Sequence, residues 1–330
     1  MRIYVLVLMY CCYAAVAYAG ILSERPADQC VALIHSDADL RCLAYNKDKD
    51  TYRLSDVVFP ISELRNSASV LDIAWAGNHL FYVASYTKKV EVADPYAVQV
   101  EQVMELAEFD FRTHQSKKLP YVFPKNAYAP GLSSVQFAKS TQLLLTTYEK
   151  NEGEEPAKKL WFINSASPTS HRSYPMPGDT GDDYIPSGDI LSIREASGTT
   201  YLVAEHRLPD KDSDCYINQY EFKGGEYTIK KINAIEVPTL SYEVEVPEDY
   251  HWLKGAAGYH VETLSSSECI YGLSEHVVVQ DGAKKRRVLA FAGHGMMMVF
   301  DWHNGEMQQI RTQNLGINSI DGATGGIPQK

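Results

Sequence analysis

Signatures of several common function classes are missing from this 330-residue sequence. It has no Gly-x-Ser-x-Gly turn for a serine nucleophile and no glycine-rich loop that would hold a phosphate. It has no pair of cysteines separated by two residues, which is the usual spacing of a zinc-cysteine site. Basic side chains are outnumbered by acidic ones, 31 to 42, giving a formal charge of −11. That charge argues against nucleic acid as a partner.

Long apolar runs are also absent after the first twenty residues. Met1-Arg2 gives a positive start, residues 3–16 are mostly apolar, and Ala17-Tyr18-Ala19 places small residues before Gly20. This three-part pattern predicts a signal peptide over residues 1–19, because a membrane anchor needs about 20 apolar residues. We therefore expect a secreted, extracellular monomer without membrane insertion, in which residues 20–330 form a single domain.

Cysteine is scarce in the predicted mature chain, where Cys30, Cys42, Cys215 and Cys269 remain. An even number in a secreted chain predicts two disulfide bonds. Cys30 and Cys42 would lie on neighbouring strands, so a bridge between them is plausible. A bridge between Cys215 and Cys269 would join consecutive repeats, but the spacing does not decide the pairing.

Amphipathic helical patterns are rare, and short runs rich in Val, Ile, Tyr, Phe and Thr take their place, separated by Gly, Pro, Asn and Asp. These runs predict strands and turns. Four of them share the order aliphatic, small, polar, then Tyr or His, with starts 62, 58 and 70 residues apart. They are Val83-Ala84-Ser85-Tyr86, Leu145-Thr146-Thr147-Tyr148, Val203-Ala204-Glu205-His206 and Leu273-Ser274-Glu275-His276.

Each repeated segment has a strand before it and a hairpin after it. The hairpins are predicted over residues 104–119, 160–174, 216–232 and 288–310, the last two with turns at Gly224-Gly225 and Asn304-Gly305. Gly-Gly and Asn-Gly are strong hairpin signals. Each repeat is therefore interpreted as four consecutive antiparallel strands.

Four-stranded units of about 60 residues bury both faces when they are stacked around an axis. We therefore predict an all-β fold, a β-propeller of five four-stranded blades, with six blades as the alternative. The N-terminal repeat lacks its first strand. Residues 315–320 of the C-terminal tail would supply that strand and close the ring.

Long connections with aromatic and acidic residues are predicted to meet at one face of this scaffold, where binding sites are common. The alternative is that the aromatic side chains only pack these connections down. The predicted ligand-binding residues are Tyr128, Asp182, Asp183, Tyr184, Asp189, Tyr250, Trp252 and His260.

The Glu-His pairs are the strongest candidates for chemistry. Glu205-His206 and Glu275-His276 are assigned to equivalent positions at the end of the second strand of consecutive blades, facing the long connections. His206, His260 and His276 could bind a divalent metal, and the pairs could act as acid and base. Because Tyr86 and Tyr148 fill the same position in other blades, the alternative is a planar side chain packed between blades.

A compact basic run occurs at residues 284–287, Lys-Lys-Arg-Arg. In an acidic secreted chain, we interpret it as a solvated strand edge.

By predicted blade count, size and secretion, the chain resembles the five-bladed propellers generally. These include arabinanase-like glycosidases, tachylectin-type lectins and calcium-dependent secreted apyrases. The resemblance is architectural and rests on no shared motif. Asp72, Asp189 and Glu262 are the nearest equivalents of the acidic residues that face the channel in the glycosidases. Since function does not follow from fold, the resemblance implies an architecture only.

Three hypotheses follow from the sequence. The favoured one is a binding module that recognises a protein partner or small ligand on the face with the long connections. The second is a metal-assisted hydrolase or lyase with a His/Glu/Asp site at the channel mouth. The third is a structural matrix component, for which the 22 tyrosines are the only indication.

Overall fold

The computed structural model describes most of the chain after residue 29, with gaps. The predicted signal peptide over residues 1–19 lies outside the described residues. The described residues are 30–36, 39–60, 64, 69–76, 78–90, 99–137, 140–149, 157–176, 184–195, 198–207, 214–223, 226–235, 240–246, 260–266, 270–293, 295–317, 320 and 322–325.

The described residues form 22 β-strands and no helix, which confirms the predicted all-β class. No helix in the described part of the chain is therefore long and apolar enough to span a membrane. The strands are β1 Cys30–Ser36, β2 Asp39–Asn46, β3 Thr51–Pro60, β4 Ser69–Ala76, β5 His79–Val90, β6 Gln99–Asp110, β7 Gln115–Lys118, β8 Ala127–Phe137, β9 Ser140–Glu149, β10 Ala157–Asn164, β11 His171–Pro175, β12 Tyr184–Glu195, β13 Gly198–Arg207, β14 Asp214–Lys223, β15 Glu226–Ile235, β16 Leu240–Val246, β17 His260–Ser266, β18 Ile270–Gln280, β19 Ala283–Ala292, β20 Met296–His303, β21 Glu306–Asn314 and β22 Gly322–Gly325.

These strands form antiparallel sets of four. The sets β4–β7, β8–β11 and β12–β15 are separate sheets, and an eight-stranded sheet contains two further sets, β22-β1-β2-β3 and β18–β21. We number them set 1 (β22-β1-β2-β3), set 2 (β4–β7), set 3 (β8–β11), set 4 (β12–β15) and set 5 (β18–β21). The hairpin of β16 and β17 is a sheet of its own.

The first strands of the five sets contact one another in a closed cycle. β4 contacts β8, β8 contacts β12, and β12 contacts β18. β18 then pairs with β22, which in turn contacts β4. The sets therefore follow one another around a common centre in chain order.

Five hydrophobic clusters fill the seams between consecutive sets. One cluster joins each pair, from sets 1 and 2 through sets 4 and 5, and a fifth joins set 5 to set 1. At the seam between sets 5 and 1, for example, Leu43 packs with Phe291 and Val299. The burial of both faces of each sheet explains why the strands carry apolar residues on both sides.

The C-terminal strand joins the two ends of the chain. β22 pairs with β1 in an antiparallel register that includes Leu33 with Thr324. Its Thr324 Oγ accepts the Trp75 N–H of β4 at 3.1 Å. The sequence predicted this strand over residues 315–320, but it lies at Gly322–Gly325. The bond from Leu315 N–H to the Gly295 carbonyl holds the tail against set 5, so the chain reaches β1 only afterwards.

The last repeat differs from its sequence assignment. The sequence predicted one hairpin over residues 288–310, but β19 ends at Ala292 and a separate strand, β20, begins at Met296. Gly295, between these strands, has a φ angle of 70°. As a result β18 is the first strand of set 5, and β17, the predicted first strand, pairs with β16 instead.

Candidate functional site

Each set of four has two chemically different ends. The first-to-second and third-to-fourth turns lie at one end, which we call the hairpin end. The second-to-third connection and the passage to the next set lie at the other, the connection end. First-to-second connections are as short as residues 77–78, 138–139, 196–197 and 281–282. Second-to-third connections are longer in sets 2, 3 and 4, at residues 91–98, 150–156 and 208–213, but short in sets 1 and 5, at residues 37–38 and 293–295.

Negative charge is concentrated in the connections. Seven segments, the last of which includes the β16–β17 hairpin, hold eighteen acidic and five basic side chains, a formal net of −13, compared with −11 for the whole chain. The rest of the chain is therefore slightly positive. The segments counted are residues 61–68, 91–98, 119–126, 150–156, 177–183, 208–213 and 236–269.

The structure places four of the eight predicted ligand-binding residues on strands. Tyr128 begins β8 with 39 % of its surface exposed, and its ring lies 5.8 Å from that of the buried Tyr148. Tyr184 and Asp189 lie on β12, and His260 begins β17 opposite Val246. The remaining four fall outside the described residues: Asp182, Asp183, Tyr250 and Trp252.

The two Glu-His pairs are not equivalent, which corrects the sequence assignment. Glu205 and His206 lie near the end of β13, the second strand of set 4, where His206 is opposite Cys215. Glu275 and His276 lie on β18, the first strand of set 5, where His276 is opposite Arg287. His206 is therefore one residue from the end of a second strand, whereas Glu275 and His276 are in the middle of a first strand.

His276 is a packing residue at the seam between sets 5 and 1. Its Nδ1 lies 3.0 Å from the Tyr52 hydroxyl, and its ring meets the Tyr45 ring edge-on at 4.7 Å. Burial, with Arg287 nearby, lowers the pKa of His276 to about 4. A neutral imidazole can accept the Tyr52 proton, and this contact occupies the Nδ1 nitrogen.

An ionic network beside His276 ties the β2–β3 turn to set 5. The buried Arg287 binds both carboxylate oxygens of Asp50, at 2.6 and 3.1 Å, and lies 3.4 Å from Asp301. Tyr45 donates its hydroxyl to Asp50 at 2.7 Å, and Arg311 donates to the Asp50 carbonyl. The hydrogen bond from Arg287 is the main reason why the pKa of Asp50 is lowered to about 2.

Glu275 faces the opposite neighbour, set 4. It binds Arg286 Nε at 2.6 Å, and Arg286 also lies 3.9 Å from Glu195 of β12. Glu195 accepts the Trp302 indole N–H at 2.8 Å. Burial raises the pKa of Glu275, and Arg286 opposes that shift. Adjacent strand residues point to opposite faces, so Glu275 and His276 serve different seams.

Tyr86 and Tyr148 lie on second strands, whereas His276 lies on a first strand. Tyr86 donates to Glu105 at 2.6 Å, and Glu105 also binds Lys118. Tyr148 is buried within 5.9 Å of Lys158, whose ammonium group also lies 3.0 Å from the Tyr220 hydroxyl. For Tyr148 and His276, these contacts are those of planar side chains packed between sheets, whereas the contacts of Tyr86 lie within its own sheet.

Asp72 also has a structural position. It is buried on β4, and its two oxygens accept N–H groups from Ile73 at 2.7 Å and from Leu132 of β8 at 2.6 Å. Burial raises the pKa of this carboxyl group, and the two N–H donors oppose the shift. Asp72 thus links the first strands of sets 2 and 3, while the side chains of Asp189 and Glu262 are not among those described.

The disulfide prediction is confirmed for one pair. Cys30 and Cys42 are joined across β1 and β2, with 5.5 Å between their Cα atoms. Cys215 is also disulfide-bonded. Its predicted partner, Cys269, lies outside the described residues. Cys215 packs in the same cluster as Ile270, the neighbour of Cys269 in sequence.

Within the described residues, no three His, Cys, Asp or Glu side chains are grouped so that they could hold a metal ion. Of the three histidines predicted as ligands, the side chain of His276 is described and is used in packing. The side chains of His206 and His260 are not described.

The sequence did not identify Arg287 as a residue that joins sets 5 and 1. The basic run was interpreted as a solvated edge, and Lys284 and Lys285 are indeed exposed, but Arg287 is 2 % exposed. The alternation of the strand turns Arg286 towards set 4 and Arg287 towards set 1. The apolar residues Val288–Ala292 that continue the strand are the signal that this segment enters the core.

Comparisons with known proteins give no family. No family model and no curated protein match the chain. Among solved structures, Drosophila Semaphorin 2a has a TM-score of 0.34 at 9 % identity, covering 88 % of this chain and 69 % of the semaphorin chain. Extracellular domains 1–2 of Drosophila Semaphorin 1a have a TM-score of 0.33 at 9 % identity, covering 86 % and 79 %. At these TM-scores, the similarity carries no argument about this chain.

Proposed function

We propose that the protein is an extracellular binding module whose connection end recognises a protein partner with a basic surface. The observation that supports this proposal is the net charge of −13 in the connections. Charge complementarity accelerates association and selects against partners of the same sign.

The proposed scaffold is a five-bladed β-propeller in which the five sets are the blades. The closed cycle of first strands and the five core clusters support this architecture. In such a propeller all connection ends share one face, so the acidic segments of different blades act together. Fixed strands that carry variable connections are a common basis for binding.

The proposed contact residues combine acidic with aromatic side chains. Asp182, Asp183 and Asp189 supply negative charge, while Tyr128, Tyr184, Tyr250, Trp252 and His260 supply rings. Tyrosine and tryptophan are enriched among the residues that dominate the energy of protein interfaces. Tyr128 is exposed beside Tyr148, which supports its role as a contact residue.

Extracellular location is part of the proposal. It is supported by the Cys30–Cys42 bridge and by the disulfide at Cys215, because disulfides persist in oxidising compartments. The signal-peptide pattern of residues 1–19 agrees with this location.

The experiment compares a connection-end variant with a hairpin-end variant in co-precipitation from the extracellular fluid of the source tissue. The first variant carries Asp182→Asn, Asp183→Asn and Trp252→Ala. The second carries Lys117→Gln and Lys223→Gln, both at exposed positions outside the connections. We expect one partner to be recovered with the unmodified protein and the second variant, and to be reduced at least tenfold with the first.

A partner recovered equally well with the connection-end variant would overturn the proposal. A recovered partner whose binding does not weaken with added salt would also contradict it, because the proposed attraction acts between exposed charges.

A further inference from the structure

We propose a second binding site, for a linear sulfated polysaccharide, across the hairpin ends of sets 1, 5 and 4. It lies at the end of the molecule opposite the acidic connections and does not depend on the partner proposed for them. Its central residues are Lys47 and Lys49 on the β2–β3 turn and Lys284 and Lys285 at the start of β19. All four are exposed.

The buried ionic network holds the two lysine-bearing turns side by side. Arg287 binds the Asp50 carboxylate through two contacts, and Asp50 follows Lys49 directly in the chain. Lys285 lies on the same face of β19 as Arg287, because side chains two positions apart on a strand share a face. Lys285 therefore lies on the side of set 1, and its Nζ donates to Gln280 of β18 at 2.9 Å. The ion pair between Arg287 and Asp50 therefore fixes the distance between the lysines of set 1 and those of set 5.

Both turns are conformationally defined. The Asn46 side chain accepts the backbone N–H groups of Asp48 and Lys49, at 3.0 and 3.1 Å. Asp281 and Gly282, at the tip of the β18–β19 hairpin, have φ angles of 52° and 76°, as a two-residue type I′ turn requires. Binding on such turns costs little conformational entropy of the backbone.

The cations of this proposed site, which we call the row, continue towards set 4. Lys284 lies on the face of β19 shared with Arg286, which reaches Glu195 at the end of β12 at 3.9 Å. The exposed Arg194 precedes Glu195. Lysines and arginines therefore follow one another across two seams, from Lys47 to Arg194, in an arrangement that suits an extended chain of anionic groups.

The charges nearby leave the row positive. Arg287 and Arg311 are balanced by Asp50 and Asp301, and Arg286 is balanced by Glu275 and Glu195. The exposed acids of the two turns are Asp48 and Asp281, opposed to four lysines. This local excess of cations occurs in a chain whose formal charge is −11.

The surroundings favour a polysaccharide over other polyanions. Nucleic-acid sites usually add exposed aromatic rings for stacking, and surface helices that enter membranes add an apolar face. Tyr45 is half-buried in the seam, and Val279, 48 % exposed, is the large hydrophobic side chain that the β18–β19 hairpin presents. The described part of this surface thus offers charge with little apolar area.

Heparin binding tests the inference with a charge-matched control. The site variant carries Lys49→Glu and Lys284→Glu. The control carries Lys117→Glu and Lys125→Glu, at exposed positions outside the row, so both variants change the net charge by the same amount. We expect the unmodified protein to bind heparin at about 0.15 M salt and to be released at 1 M, where the screening length is about 3 Å. The dissociation constant should rise at least tenfold in the site variant and less than threefold in the control.

Three results would overturn the inference. The first is no binding of the unmodified protein to heparin at about 0.15 M salt. The second is an equal loss in both variants, which would indicate a general effect of net charge. The third is binding to phosphatidylserine vesicles that heparin does not compete away, because that would assign the row to a membrane surface. Thermal unfolding of both variants checks that each remains folded.

Discussion

At the scale of the residue, the side chains that first suggested chemistry are used to join sheets. His276 and Asp72 each hydrogen-bond a group on a neighbouring set, at 3.0 and 2.6 Å. Glu275 binds Arg286 of its own set at 2.6 Å, and Arg286 lies 3.9 Å from Glu195 of set 4. A sequence pattern identifies such residues as polar and strand-borne, but it cannot tell which seam each one faces. Arg287 was not predicted to be functional or buried, because it belongs to a run of basic residues. In the structure it is buried and binds Asp50.

The neutral state of His276 predicts how stability depends on pH. Its folded pKa, about 4, lies below the ordinary value of 6.5, so the unfolded chain takes up this proton first as the pH falls. The free energy of unfolding should therefore be fully retained above pH 6.5 and should fall between pH 6.5 and about 4, by at most about 1.4 kcal/mol per pH unit. Asp50, with its pKa lowered to about 2, adds a loss between pH 3.8 and about 2.

Urea unfolding at a series of pH values checks this prediction with His276→Gln, which retains an acceptor for the Tyr52 hydroxyl. As the pH falls from 6.5 to 4, the free energy of unfolding of the variant should rise relative to that of the unmodified protein. If the free energies of unfolding of the two proteins changed equally over that pH range, the pKa of His276 would not be lowered in the folded protein.

At the scale of the element, strand and turn signals located most of the strands but misjudged the last repeat. The turns at Gly224-Gly225 and Asn304-Gly305 were predicted from dipeptides whose conformations favour two-residue hairpins; the structure describes Asn304-Gly305, with φ angles of 52° and 79°. Residues 288–300, which are almost continuously apolar, were assigned to one hairpin, whereas they belong to two separate strands, β19 and β20. Length and apolar content alone do not reveal where such a run turns.

Gly272 allows β18 and β22 to approach each other. A Cβ atom at position 272 would lie 2.4 Å from the Ala323 Cβ, closer than two carbons can pack. Gly272→Ala should therefore lower the free energy of unfolding by about 1–3 kcal/mol, the usual cost of overpacking. Chemical denaturation of the single variant measures this cost.

The compensating double variant, Gly272→Ala with Ala323→Gly, moves the methyl group from one strand to the other. This change removes the Cβ contact at 2.4 Å, but the Ala323 N and Cα atoms would still lie 2.7 and 2.9 Å from the new Cβ. The double variant should therefore recover only a small part of the lost stability. A single variant as stable as the unmodified protein would contradict the parallel pairing of β18 with β22.

At the scale of the whole molecule, the ends of the chain meet in one set of four strands. The sequence predicted that the tail would complete the first repeat, because that repeat lacked a strand, but placed the strand at residues 315–320. β22 is only Gly322–Gly325, and four residues rich in glycine carry almost no strand signal. The seams between sets and the closed cycle of first strands depend on contacts between residues far apart in sequence. The spacing of apolar residues along the chain does not specify such contacts.

The measurement that tests ring closure most directly is equilibrium unfolding of two C-terminal truncations. Removing residues 322–330 deletes β22, with its pairing to β1 and β18 and the Thr324 bond to Trp75. Removing residues 326–330 deletes only the segment after β22 and is the matched control. We expect the control to keep one sharp transition at the midpoint of the full chain, and the longer truncation to lose cooperative unfolding. A sharp transition with unchanged midpoint and slope after removal of β22 would show that the C-terminal strand does not close the structure.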